Sequence, residues 1–234
     1  MIAPQKFKAR LASIKKISGK VYLERFELVE PKEITFVSGQ TVMLYVAPGV
    51  NRAMSIASLP SEKTSIAFIH DVSPMGAYSK WALAAKTGDP MEFMGPLGAF
   101  VLDRDSHRKK VCIATGTGIA PFYGMAVDYL SSGGMDDMTI YWGLRHEEDI
   151  FWQSEFEELA KTYPNFRFIL TLSQGLDSWV GKRGHVGDYV FADEKNLPGT
   201  DFYLCGNKNM ETDMRTRLSA AEVPAKQIKS ELFY

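Results

Sequence analysis

The hydrophobic rhythm of this chain changes close to residues 103–109, and that change limits the folds open to it. Before it, short apolar runs come one after another: "KARLASIKKIS", "VYLERFEL", "QTVMLYVAPG", "RAMSIASLP" and "TSIAFIHDV". They alternate or are rich in β-branched residues, and Gly19, Pro31, Gly39, Pro48-Gly49 and Pro60 break them apart. Such spacing predicts consecutive strands in an antiparallel barrel or sandwich. One helix-like piece, "GAYSKWALAAKTGD", interrupts them, and "FMGPLGAF" ends the half on a glycine-proline turn.

After "RDSHRK" apolar runs alternate with helical segments. "KVCIATG", "MTIYWGLR", "FRFILTLS", "DFYLCGN" and "KSELFY" read as strands; "PFYGMAVDYLSSGG", "FWQSEFEELAKTYP" and "METDMRTRLSAAEV" read as helices. Strand–helix alternation of this kind predicts β–α–β units on a parallel sheet. The expected fold is therefore two-domain: an N-terminal antiparallel β-barrel over residues 1–104 and a C-terminal α/β parallel-sheet domain over 108–234.

Composition excludes several function classes. With 234 residues, 45% hydrophobic and 24% charged, the chain has ordinary globular usage. A net charge of -1 gives no basic field for nucleic acid. No apolar stretch approaches the roughly 20 residues of a membrane span, and the first ten residues lack the apolar core of a secretory signal. Cys112 and Cys205 are the only cysteines, too few for a cysteine-held iron–sulfur cluster. No histidine set suggests a metal. The expectation is a cytoplasmic protein in a reducing compartment.

The loop "ATGTGIAP" follows a β-branched run and precedes a helix. Gly116 and Gly118 allow a tight turn and a close backbone approach, and Pro121 suits a first helical turn, where its missing N–H has no partner to lose. Unpaired N–H groups at such a helix start favour a phosphate. By itself the G-x-G reads equally as a plain turn.

Eight motifs in order decide between these readings: "SGQTVML", "RAMSIAS", "GAYSKWAL", "GDPMEFMGPLGAF", "ATGTGIAPF", "YWGLR", "FYLCGNKNM" and "SELFY". Together they resemble the ferredoxin–NADP reductase superfamily, which pairs a flavin-binding barrel with a nicotinamide-dinucleotide domain. The resemblance implies FAD in the first domain. Arg52 would grip its pyrophosphate, and Ser55 would lie near flavin N5, with Ala53 between them on the same strand. Met54 stands where the family has an aromatic against the isoalloxazine, a departure that bears on flavin affinity. Phe68, Ile69 and His70 would line the ring, His70 being alternatively an ordinary barrel residue. Gly76, Ala77, Tyr78 and Ser79 would offer N–H groups and a hydroxyl to the FAD phosphates.

In the second domain Thr115, Gly116, Thr117 and Gly118 would hold the ribose and pyrophosphate of NADH or NADPH. Cys205, Gly206 and Met210 belong to the other nucleotide-facing loop, with Cys205 beside the nicotinamide or simply buried; Cys112 reads as core. Glu231 would orient the nicotinamide or handle a proton. Phe233 by spacing, or Tyr234 by its terminal position, would cover the flavin. Ser173 would face the adenosine ribose; the Gln174 after it favours NADH, and Lys182 and Arg183 are the alternative grips for a 2′-phosphate. The implied activity is hydride transfer from NAD(P)H to FAD, then single electrons to a separate ferredoxin or oxygenase component. The alternatives are a reductase of free flavin and an electron-transfer subunit of a larger complex.

Overall fold

The structure, a computed structural model, describes residues 3–73 and 75–232, the side chain of Leu232 excepted. Packing divides the chain into two compact units: Met1–Leu102 with Tyr123–Asp128, and Asp103–Phe122 with Tyr129–Tyr234.

The first unit is built on six antiparallel strands: β1 (Gln5–Lys16), β2 (Val21–Glu30), β3 (Thr41–Ala47), β4 (Val50–Ser55), β5 (Ser65–Asp71) and β6 (Pro90–Leu97). Their order across the sheet is β4-β3-β6-β1-β2-β5. The two edges approach each other just past β4. There Ala57 N donates to Ala67 O at 2.8 Å, and Ala67 N donates to Ser58 Oγ at 3.1 Å. The sheet is thus curled into a half-barrel, as its strand pattern predicts. In β1, Phe7, Ala9 and Leu11 are buried while Lys6, Lys8 and Arg10 are exposed, the period of two expected of a strand with one wet face. Phe7 stacks on Phe93 with 4.9 Å between ring centres. Helix α1 (Ala77–Ala84) lays Trp81 against Phe26 of this core.

The second unit is a parallel sheet ordered β10-β9-β8-β7-β11-β12. Its strands are β7 (Lys109–Thr115), β8 (Met138–Leu144), β9 (Phe166–Leu172), β10 (Lys182–Arg183), β11 (Thr200–Gly206) and β12 (Ile228–Leu232). The helices are α2 (Ala120–Ser131), α3 (Gln153–Thr162), α4 (Val186–Asp193) and α5 (Lys208–Ala220). Every residue of β11 is buried, as in strands covered on both faces. Ile113, Tyr141 and Leu204 pack with Val190 of α4 and Met214 and Leu218 of α5. Phe156 of α3 stacks on Phe168 of β9 at 4.9 Å.

Helix α4 has no counterpart in the sequence reading, and its sequence explains why. "VGDYVFAD" is only two turns long and carries Gly187 in its first turn, a residue of low helix propensity. The glycine sits close to α5, where a Cβ would stand 2.9 Å from the Met214 sulfur. The basic run at the start of β7 is neutralised, Arg108 by Asp201 (3.1 Å), Lys109 by Glu194 (2.7 Å) and the fully buried Lys110 by Asp136 (2.9 Å).

Candidate active site

In the first unit the candidate residues lie on β4, on β5 and at the start of α1. Arg52 is half-buried, and across the β3 ladder it faces Leu44. Met54 is 5% exposed and packs into the barrel core. Ser55, at the end of β4, is buried opposite Thr41; Ala53 is exposed. Phe68 belongs to the same core, and Ile69 and His70 are buried beside it.

Helix α1 starts at Ala77 with Gly76 as its cap, without a side-chain cap bond and without an acidic residue in its first turn. The first N–H groups of a helix have no acceptor within it, and the dipole makes that end positive. An uncapped, acid-free turn of this kind fits a phosphate. Ser79 lies inside the first turn, 2% exposed, and its hydroxyl is 3.1 Å from His70 Nε2.

In the second unit the chain visits β7, β8, β9 and β10 on one side and then crosses to β11 on the other. The order reverses between β7 and β11, and ligands of open parallel sheets sit in the crevice at such a point, outside the carboxyl ends of the strands. Two expected loops meet there. Thr115 ends β7, and Gly116–Ile119 form a 3-10 turn running directly into α2. Gly116 has φ +56° and only open space where a side chain would go.

Gly118 is pressed against the other loop: a Cβ there would stand 2.3 Å from Cys205 O. In return Gly206 leaves no room for a side chain, since a Cβ would meet Thr115 Oγ1 at 2.2 Å. Thr115 Oγ1 accepts from Asn207 N (2.9 Å) and Asn207 Nδ2 (3.0 Å), while Asn207 Oδ1 caps α5 by accepting from Met210 N (2.9 Å). Trp142 Nε1 donates to Gly116 O at 2.9 Å. The two loops thus pack tightly against each other at the carboxyl ends of β7 and β11, where strand order reverses and an open parallel sheet receives its ligand.

Cys205 and Glu231 come together across the β11–β12 ladder. Burial, with the Glu231 charge added, pushes the Cys205 thiol well above its ordinary range, so it stays protonated. Cys112 is fully buried and its thiol is likewise raised by burial. Ser173 is exposed at the end of β9, with Oγ 3.4 Å from Leu144 O. Arg183 donates to the carbonyls of Gly175 (2.9 Å), Leu176 (2.5 Å) and Trp179 (3.0 Å). Lys182 lies 3.7 Å from Asp193 and over the Tyr189 ring. Both cations expected near a 2′-phosphate are therefore engaged within the protein. Phe233 and Tyr234 lie outside the described residues.

Sequence reasoning missed Asn207 and Glu24. For Asn207 the signal was an Asn directly before a helical run. For Glu24 it was a charge in phase with Phe26 and Leu28 along β2. Among the described residues no cluster of His, Cys, Asp or Glu could hold a metal, and no helix is long and apolar enough to cross a membrane.

Residues 8–102 match the family model described as oxidoreductase FAD-binding domain, and residues 112–216 match oxidoreductase NAD-binding domain. A ferredoxin–NADP reductase B of Sorangium cellulosum is 33% identical over 244 residues, covering 100% of both chains. The chain belongs to the ferredoxin–NADP reductase family. Within that family it is also 28% identical to terephthalate 1,2-dioxygenase reductase component 1 of Comamonas sp, spanning 99% of this chain and 69% of that protein. The Amycolatopsis cytochrome P450 reductase GcoB superposes with a TM-score of 0.92 at 26% identity, covering 100% of this chain and 71% of that one. The fold is shared as well with a ferredoxin NADP+ reductase from Neisseria gonorrhoeae solved with FAD and NADP, at a TM-score of 0.86, 18% identity and coverage of 98% and 99%. As a family member the chain is an oxidoreductase with one FAD-binding and one NAD-binding domain.

Proposed function

We propose that this chain takes hydride from NAD(P)H onto FAD and delivers electrons singly to a separate ferredoxin or oxygenase-type protein. FAD supplies the conversion, accepting two electrons as hydride and releasing them one at a time. The protein's own residues place and hold. In the first unit, Arg52 grips the FAD pyrophosphate with a guanidinium suited to two oxygens at once. The first turn of α1, from Gly76 to Ser79, adds backbone N–H groups, and Ser55 offers a hydroxyl at the reactive edge of the ring.

In the second unit, Thr115–Gly118 hold the coenzyme pyrophosphate, and Cys205, Gly206 and Met210 border the nicotinamide side. Cys205, kept as a neutral thiol, packs rather than attacks. Glu231, its ladder neighbour, orients the carboxamide, and Ser173 meets the adenosine ribose. Holding two reactants in contact geometry is itself a large part of the rate. Two cysteines are too few to hold an iron–sulfur cluster, which supports an acceptor with its own redox centre. The oxygenase reductases among the relatives support an acceptor of that kind. The domain boundary falls between Leu102 and Lys109.

The observation that carries this reading is the close packing of the Gly116–Gly118 and Gly206 loops at the carboxyl ends of β7 and β11, where the strand order reverses. Its test is anaerobic mixing of FAD-loaded protein with NADH or NADPH, followed by ferredoxin. Loss of the flavin band near about 450 nm, then reduction of the ferredoxin, is the expected result; an unchanged band with both coenzymes contradicts it. A second reading, free flavin as an exchanging substrate, is favoured by Met54, which sits in the barrel core where the family has an aromatic. Flavin that dialyses away while NAD(P)H oxidation persists with added flavin selects that reading.

A further inference from the structure

Along β2, Phe26 and Leu28 point into the barrel, and Glu24 follows in the same phase, so a carboxylate stands where an apolar side chain belongs. It is fully buried. A buried charge is tolerated only when hydrogen-bond donors surround it. The Tyr78 hydroxyl donates to Glu24 Oε2, and His70 Nδ1 lies 3.4 Å from Oε1. The second ring nitrogen of His70, Nε2, is 3.1 Å from Ser79 Oγ. All four side chains are less than a tenth exposed. The His70 and Tyr78 rings touch, with centres 4.7 Å apart, and Trp81 stacks behind Tyr78 at 5.7 Å.

The hydroxyl–imidazole–carboxylate order is that of a nucleophilic relay, yet a serine 2% exposed offers no surface to a substrate. The role lies instead in what the network holds. Tyr78 and Ser79 both belong to the first turn of α1; from below, Tyr78 is fastened to Glu24 of β2 and Ser79 to His70 of β5. With Nδ1 turned to Glu24 and Nε2 to Ser79, one ring meets both contacts.

We propose that Glu24 and His70 are positioning residues which, through Tyr78 and Ser79, hold the first turn of α1 in the geometry that receives the flavin phosphates. The proposal rests on the flavoprotein reading above. Burial, and then the charge of Glu24, push the Tyr78 phenol well above its ordinary range, so Tyr78 keeps its proton and stays a donor. The network acts on the phosphate-binding turn, so its loss is felt by flavins that carry a phosphate and by no others.

Dissociation constants for FAD, FMN and riboflavin, read from flavin fluorescence on the apoprotein, test this in the parent, S79A, H70N, H70Q and the S79A/H70N double variant. A parent that binds no FAD sinks the flavoprotein reading itself, before any variant is compared. Asn at position 70 keeps a donor toward Glu24 but falls short of Ser79, whereas Gln reaches Ser79. S79A and H70N should each weaken FAD and FMN about tenfold. The double variant should be no worse than the weaker single one. Riboflavin should be unaffected, and H70Q should return FAD to within about threefold of the parent. Unchanged FAD affinity in both single variants overturns the proposal. So does an additive double variant, which makes the two residues independent ligand contacts, or an equal loss for riboflavin, which makes the network a general support of the fold.

Discussion

In the N-terminal unit the turn that would meet a phosphate is held from behind by side chains: a buried carboxylate, an imidazole, a phenol and a hydroxyl. In the C-terminal unit the corresponding loop is shaped by backbone. Two glycines stand so close to their neighbours that no side chain fits, and Thr115 and Asn207 stitch the loops together. The difference follows from architecture. A barrel has an interior that can take in a polar network, provided every member finds a partner. A parallel sheet has no spare interior, and its ligand crevice opens only where the strand order reverses. One cradle should therefore be sensitive to what side chains can donate, the other to what the backbone can accommodate.

The largest expected effect breaks the backbone cradle. In Gly118→Ala the new methyl would stand 2.3 Å from a main-chain carbonyl that cannot swing aside. Overpacking of this kind costs about 1–3 kcal/mol, so calorimetry should show NADH binding weakened about tenfold to a hundredfold. FAD binding should stay as in the parent; a matching loss of FAD would erase the contrast between the two cradles. Next comes the reciprocal case. Ser79→Ala should weaken FAD about tenfold while NADH titrates as before, and a shift in both affinities would mean that the two cradles are not separable.

A smaller effect is expected of Thr115→Val, which keeps the shape but removes the oxygen that accepts from Asn207 twice. Losing it should cost about 1 kcal/mol, seen as roughly a fivefold weaker NADH complex. No change would mean that the glycines alone shape the crevice.

The mildest effect lies away from both cradles. Burial by itself would raise the Asp136 carboxyl, but hydrogen bonds from Lys110 and Tyr129 and the charges of Lys110 and His107 outweigh it and hold the group below its ordinary 3.8. A carboxyl lowered in the folded state adds stability above its unfolded value, and that contribution is lost as pH falls below 3.8 toward the folded value. Acid unfolding followed by circular dichroism should therefore be less steep with pH in Asp136→Asn. An identical acid limb in the variant would remove Asp136 from the account.

Much of this was legible in the chain. The change from strand-only to strand–helix rhythm near residue 103 marks where the two sheets divide, because periods of 2 and 3.6 are imposed by backbone geometry alone. The glycines of "ATGTG" and "CGN" were legible as close-approach positions. What sequence could not show was that they approach each other. That depends on β7 and β11 being neighbours although about ninety residues apart, a matter of sheet order. The Glu24–His70 and His70–Ser79 contacts, 46 and 9 residues apart, were hidden for the same reason. Ser79 reads from sequence as a polar residue at a helix start, and only the fold shows its hydroxyl turned toward the barrel. Helix α4 went unseen because it is short and Gly187 in its first turn weakens its local signal.

The central claim is that the chain takes hydride from NAD(P)H onto FAD. Anaerobic single-turnover bleaching of the FAD-loaded protein by NADH, compared with NADH carrying deuterium at the transferred C4 position, tests it most directly. The account predicts slower bleaching with the deuterated coenzyme and deuterium lost from that position in the NAD+ formed. Bleaching at equal rates with the label retained in NAD+, or no bleaching by a coenzyme that demonstrably binds, would contradict it.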